Sequence, residues 1–319
     1  MRFYFALLMV LILFFSCSNK NESQIDVSNI KVDYTTKRFD IDFYSANEET
    51  LIDVKEEYPY LFPESLSDSL TFSKINDEQE RELFSESQLF YKNLDNLEKD
   101  LTSLFKHVKY YYPTFKSPKV ITMLSNIDYD NRVIYADSLL LISLDVYLGK
   151  KHRFYNDFPD YIKETNTEKH ISVDVANALI DAQMPSTIQR RFVDKIINKG
   201  KKAYLLDMYL PNVSDAIKMG YTPEKLNWAK TNEEQVWMYF IEKNLLFNTN
   251  AKLNQRFIEN APFSKFYTAE DKSTPGRIGV WLGWQIVASY MQHNDVSLQE
   301  LLKKDPGEIF NKSKYKPKK

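Results

Sequence analysis

Cysteine occurs once in this chain of 319 residues, at Cys17, so no disulfide framework exists and no thiolate cluster is available to hold a metal. Glycine is scarce, with 7 residues against 21 Tyr and 21 Phe, which excludes a low-complexity or disordered chain and points to a folded, helix-leaning globule. Neither sign of charge prevails. The formal net charge is −2, with both signs mixed along the chain, so no global field draws in nucleic acid and none is expected as a partner. The 4 histidines, His107, His152, His170 and His293, contain no His-x-x-x-His pair. A Gly-x-Ser-x-Gly nucleophile elbow is also missing. The longest uncharged apolar run, Phe3 to Ser16, falls short of the about 20 residues that cross a bilayer as a helix.

That run is nevertheless the most informative stretch present. Arg2, the apolar residues Phe3 to Phe15 and the small Ser16 form a leader of residues 1–16, and Cys17 stands directly behind it as the expected lipid attachment site. An ordinary signal peptide followed by an incidental cysteine, or an N-terminal membrane anchor, would share the same pattern. Residues 17–33 are polar and small, the composition of a flexible tether. A single globular domain is expected over 34–311, followed by a basic tail over 312–319 whose lysines at a frayed end are solvated or touch anionic lipid.

Within the domain, apolar residues alternate from Arg38 to Phe43, which predicts a strand. Helices are predicted from Asp77, as N-cap, to Tyr91 and onward through Leu94, Leu97, Leu101, Leu104 and Phe105 to His107. Short apolar runs at 120–124, 132–135 and 139–144 predict two or three paired strands, a small antiparallel sheet. From His170 on the pattern is helical: a helix from Ile171 to Met184, a buried stripe of Ile188, Phe192, Val193, Ile196 and Ile197, and a helix start at Thr222-Pro223-Glu224. The plan is α+β and predominantly helical.

Three stretches are candidates for chemistry or contact. Gly276, Gly279 and Gly283 fall on one strip at about 100° per residue, with Trp281 and Trp284 beside it. This predicts a helix that lets another backbone approach closely; a nucleotide-binding glycine loop would need a preceding strand and a following Lys-Ser/Thr. His170 and Asp174 lie one helical turn apart, as in a zinc-peptidase helix, but Ile171 occupies the place of the general-base Glu. The segment Leu148 to Tyr155 joins a turn glycine to Lys150, Lys151, His152 and Arg153, with Phe154 and Tyr155, and reads as a solvated loop or a grip for an anionic group.

Cys17, Tyr147-Leu148-Gly149 with Phe154-Tyr155 and Pro159-Asp160-Tyr161, Met219 to Glu224, Trp237 with Phe240-Ile241-Glu242, Ala261-Pro262-Phe263-Ser264, and Pro275 to Gln285 together resemble the GldB family of gliding-motility-associated lipoproteins of Bacteroidota. The resemblance implies a cell-envelope lipoprotein required for gliding and associated with the type IX secretion apparatus, without a known reaction. A second similarity, to zincin-like metallopeptidases, concerns the order of sheet and helices. It implies a degenerate version of that fold, with Lys199 about where a third ligand, a Glu, would stand.

The leading expectation is therefore a non-catalytic scaffold with no cofactor, no metal and no small-molecule substrate. It is held to the membrane by its N-terminal lipid and binds gliding and secretion proteins. His152, Tyr155, Trp237, Gly276, Gly279, Trp281, Gly283 and Trp284 are its candidate interaction or packing residues. Because Ser18-Asn19-Lys20-Asn21 lacks an acidic pair of the kind associated with surface export, the expected face is periplasmic. One alternative is a degenerate zincin-type hydrolase using His170, Asp174 and a distant acid. Another is a solute-binding lipoprotein stacking sugars on Trp237, Trp281 and Trp284, which needs those rings exposed.

Overall fold

The alternation from Arg38 to Phe43 does not make a strand. In the computed structural model, which describes residues 25–136 and 138–318, strand β1 is only Thr36–Arg38 and the chain turns at once into helix α1, Phe39–Tyr44. Phe39, Asp40, Phe43 and Tyr44 are its buried positions, a helical face. Asp40 turns inward because it is fully paired. Its carboxylate accepts from the Arg38 guanidinium at 2.6 Å, the Gln88 amide at 2.9 Å and the Thr122 hydroxyl, which offsets its desolvation.

The leader and Cys17 lie outside the described residues. Residues 25–30 belong to a separate unit and hold a turn in which the Ile30 amide donates to the Val27 carbonyl. The main body starts at Lys31, whose carbonyl accepts from Lys109 Nζ, and Val32 packs on the core, so its contacts begin earlier than the expected end of the tether at residue 33.

Helices α2, Leu51–Glu57, and α3, Asp68–Ile75, lead to α4, Glu78–Phe90, which Asp77 caps by accepting from the Gln79 and Glu80 amides at 3.0 Å. Helix α5, Asp95–Tyr111, buries Leu97, Leu101, Leu104, Phe105 and Val108 along one stripe. Strands β2, Lys119–Met123, β3, Val133–Ala136, and β4, Leu139–Ser143, then complete a sheet of order β1-β2-β4-β3. The expected antiparallel sheet is mixed instead. Strand β2 runs parallel to both β1 and β4, with Val120 opposite Leu140, and only the edge strand β3 is antiparallel. The reason is connectivity: α1 to α5 form the long crossover that a parallel β1–β2 pair requires.

The predominantly helical α+β plan stands. After the sheet come α6, Asp160–Lys163, α7, Glu168–Gln183, α8, Phe192–Tyr209, α9, Asp215–Met219, α10, Pro223–Thr231, and α11, Glu233–Glu242. They are followed by α12, Lys252–Phe257, α13, Ile278–His293, α14, Leu298–Lys303, and α15, Pro306–Lys312. Helix α7 lies against β3, α5 and α8. Phe192, Val193, Ile196 and Ile197 are buried on α8 as expected, but Ile188 is 89% exposed because it sits in the loop between α7 and α8. Thr222 caps α10, with Pro223 at its first position.

Helices α8 and α13 meet backbone to backbone. A Cβ on Gly283 would lie 1.9 Å from the Ile196 carbonyl oxygen, and one on Gly200 would lie 2.2 Å from the Gly283 carbonyl. Gly279 belongs to the same face, 2.8 Å from the Phe257 oxygen by the same measure. Gly276 does not. It precedes the helix, where a Cβ would strike the Ala261 carbonyl. Trp281 and Trp284 are buried edge to face, and Trp284 Nε1 donates to Asp207 at 2.7 Å; Trp237 packs against Tyr315. Sugar stacking needs exposed rings, which the buried Trp281 and Trp284 do not offer.

The basic tail is tied down rather than frayed. Lys314, Lys316 and Lys318 point outward, but Ser313 is buried, the Tyr315 hydroxyl donates to Glu233 at 2.8 Å and the Lys318 amide to the same carboxylate at 3.1 Å. Among the described residues no helix is long and apolar enough to cross a membrane.

Candidate functional site

Beside α7 opens a cleft of about 260 Å³, walled by β3's lead-in at Tyr129 and Arg132, by α6 and α7, by the α9–α10 turn and by residues 260–262 and 276–277. Its floor follows from strand order. Because β3 is the edge strand and lies across α7, Arg132 at its start reaches Asp174 in the middle of that helix, Nη2 to Oδ1 at 2.9 Å. Arg132 also donates to Thr165 Oγ1 at 2.9 Å and stacks over the Tyr129 and Tyr147 rings. The Tyr147 hydroxyl donates to the other Asp174 oxygen at 2.9 Å. Burial pushes the Asp174 carboxyl above the ordinary carboxylate range, and Arg132 and Tyr147 pull against that.

His170, one turn before Asp174, is only 7% exposed. Its Nδ1 shares a hydrogen bond with Thr167 Oγ1 at 2.8 Å, and its Nε2, on the cleft wall, has no well-formed hydrogen bond, although the ring interacts with the Ile217 backbone. Burial and then the Arg132 charge lower its pKa to about 4, with the backbone at Ile217 working weakly the other way. A base lowered in the fold is protonated first in the unfolded chain. Its contribution to stability is therefore complete above the unfolded value of 6.5 and is lost as pH falls from there towards 4. Relative to His170→Asn, the wild-type protein should lose up to about 3 kcal/mol of unfolding free energy over that window. Parallel urea titration curves for the two proteins at both ends of it would contradict this.

The residues present do not fit a zinc ion. Such a site takes three or four ligands, and here both Asp174 oxygens are held by Arg132 and Tyr147. Of the other carboxylates on the wall, Glu164 is paired with Lys150 and Asp160 with Lys163. Among the described residues no three His, Cys, Asp or Glu side chains are grouped to hold a metal. Lys199 has no part in this: it is exposed on α8 and does not line the cleft.

Of the residues singled out as candidates for chemistry or contact, His170, Asp174 and Gly276 line the cleft, joined there by Tyr161, Met219 to Thr222 and Pro262 from the stretches that carry the family resemblance. His152, Tyr155, Trp237, Gly279, Trp281, Gly283 and Trp284 lie elsewhere. His152 packs on Phe154 and reaches Glu86 at 3.4 Å, and Tyr155 is a core residue whose hydroxyl accepts from the Leu148 amide. Of the two readings of the 148–155 loop, a solvated loop or a grip for an anionic group, the grip is spent on internal pairs, Arg153 with Glu82 and Glu86, and Lys150 with Glu164. Sequence reasoning missed Arg132, Lys225 and Arg277 as site residues. Arg277 lies within the glycine- and tryptophan-rich stretch Pro275 to Gln285, and its backbone gives the signal that spacing does not carry: φ is +57° at the residue capping α13, a left-handed conformation unfavourable for arginine.

The family described as gliding motility protein GldB matches residues 20–317 of this chain. Neither the curated proteins nor the solved structures contain a match. The match takes in the sheet, the cleft and the α8–α13 crossing alike, and the chain belongs to the gliding motility protein GldB family, a lipoprotein family that serves gliding motility.

Proposed function

We propose that this protein is a non-catalytic interaction module of the gliding machinery and its type IX secretion apparatus. It is lipid-anchored through Cys17 and faces the periplasm. The observation that carries the non-catalytic part is the closed Arg132–Asp174–Tyr147 set at the centre of the cleft. Both oxygens of that carboxylate are engaged by a guanidinium and a phenol, and a histidine with a pKa of about 4 is a weak base. A binding surface needs neither. The degenerate-hydrolase alternative keeps His170 alone from its ligand set.

Anchoring and association are tested together. Cys17→Ser should move the protein from the membrane pellet to the soluble fraction, and the wild-type protein solubilised from envelopes should co-purify gliding and secretion components. A Cys17→Ser protein that stays in the pellet would remove the anchor. Stoichiometric divalent metal with peptide turnover in the wild-type protein would remove the non-catalytic reading.

A further inference from the structure

We propose that the cleft beside α7 receives a carboxylate of a partner polypeptide, a free C-terminus or an acidic side chain, held by Arg277 and Lys225 with His170 Nε2 as a third contact. This rests on the interaction reading above and names what the site recognises.

The charges around the cleft are paired with two exceptions. Arg132 is matched by Asp174, Lys218 by Asp207 at 2.7 Å, Glu164 by Lys150 and Asp160 by Lys163. Arg277 and Lys225 have no carboxylate partner among the described residues. The Arg277 guanidinium donates to the Met219 carbonyl, and Lys225 Nζ to the Lys272 and Thr274 carbonyls at 3.0 and 2.5 Å. Carbonyls orient a cation without neutralising it, and most of the donors on the Arg277 fork are left over. Partial burial already disfavours the charged form of Lys225, so a bound anion would replace lost hydration with an opposite charge.

A second observation is independent of those charges. His170 Nε2 is a buried polar atom without a well-formed hydrogen bond on the wall of the same cavity, a loss that proteins rarely leave standing without a ligand or water to relieve it. The strained backbone of Arg277 is a third. It is braced by the Tyr221 hydroxyl, which donates to the Gly276 carbonyl at 2.6 Å, so the fold holds that side chain in place against its conformational preference.

The walls favour a polypeptide over a free inorganic anion. Tyr129, Tyr161, Val173 and Pro262 offer apolar surface, and the amides of Asn177 and Asn260 offer groups for peptide bonds. At about 260 Å³ the cavity suits the end or a short bend of a chain rather than a folded epitope.

The test uses the full chain in detergent micelles, titrated calorimetrically with four probes. These are N-acetyl-Ala-Ala-Phe with a free carboxylate, its C-terminal amide, the amide of N-acetyl-Asp-Ala-Phe, and inorganic phosphate. One or both carboxylate peptides should bind at least roughly tenfold tighter than the uncharged amide, and which of them does so identifies the source of the carboxylate. Lys225→Gln and Arg277→Gly should each abolish that preference. Arg277→Gly removes the guanidinium at a backbone position that glycine adopts freely, so its folding should be intact by thermal denaturation. Equal binding of all three peptides, no binding by any, an unchanged preference in both variants, or phosphate binding as tight as the best peptide would each overturn the proposal. Co-purification of envelope partners is scored separately on the wild-type protein, so the cleft can fail while the interaction reading survives.

Discussion

Gly283→Ala should lower the unfolding free energy by about 3 kcal/mol or more, although it adds a single methyl group to the middle of a helix. Alanine favours a helix over glycine by roughly 1 kcal/mol, so the expected sign runs against propensity. The cause is position. The added carbon would lie 1.9 Å from the Ile196 oxygen and 2.5 Å from its carbonyl carbon, and both belong to the α8 backbone, which has no rotamer to change. Relief requires α8 and α13 to separate, which opens the contacts of Ile196, Phe192 and Trp284 with them. For a domain of this size the loss corresponds to a fall in Tm of about 5 °C. Gln285→Ala, on the same helix and partly exposed, should stay within about 0.5 kcal/mol of wild type. Similar melting curves for Gly283→Ala and wild type would mean that the two helices are not in backbone contact.

The second large effect is expected at Arg132. Arg132→Met removes the guanidinium and leaves the Asp174 carboxylate with the Tyr147 hydroxyl alone, which should destabilise the protein by about 3 kcal/mol. The deficit should shrink in acid, where the abandoned carboxyl takes up a proton and ceases to be a bare charge. Adding Asp174→Asn should restore much of the loss, because a neutral amide beside a methionine carries no charge to desolvate. A double-mutant cycle by urea denaturation isolates the coupling. If the two single losses simply add, Arg132 and Asp174 are not a coupled unit and the cleft centre is not closed by them.

Much of this fold could be read from spacing. The α8–α13 crossing was legible in Gly279 and Gly283, because glycines on one helix face among large apolar residues have few uses besides close approach. Asp77 and Thr222 announced their helices through the same chemistry that caps them. What misled was local pattern answered by distant partners. The alternation at Arg38 to Phe43 looked like a strand until Asp40 found Gln88 and Thr122 far along the chain. The sheet's mixed order depends on a crossover whose five helices have no bearing on how any one strand is patterned.

The site was legible only in part for the same reason. The one-turn spacing of His170 and Asp174 is a sequence property. The pairing that engages Asp174 comes from Arg132, 42 residues earlier, and is a property of topology. Lys225 and Arg277 are ordinary cations in sequence. Only placement distinguishes them from the other 40 Lys and Arg residues, since a missing counter-ion is a fact about neighbours.

The Glu233 carboxylate, 2% exposed near the start of α11, is answered from more than eighty residues downstream by a phenol and a main-chain amide. The closing stretch of polypeptide is thus a rivet for the helix beneath it, and affinity handles or fluorescent labels fused past Lys318 would pull on that rivet. The loop at Ile188, whose side chain is exposed, is the better place to hang them.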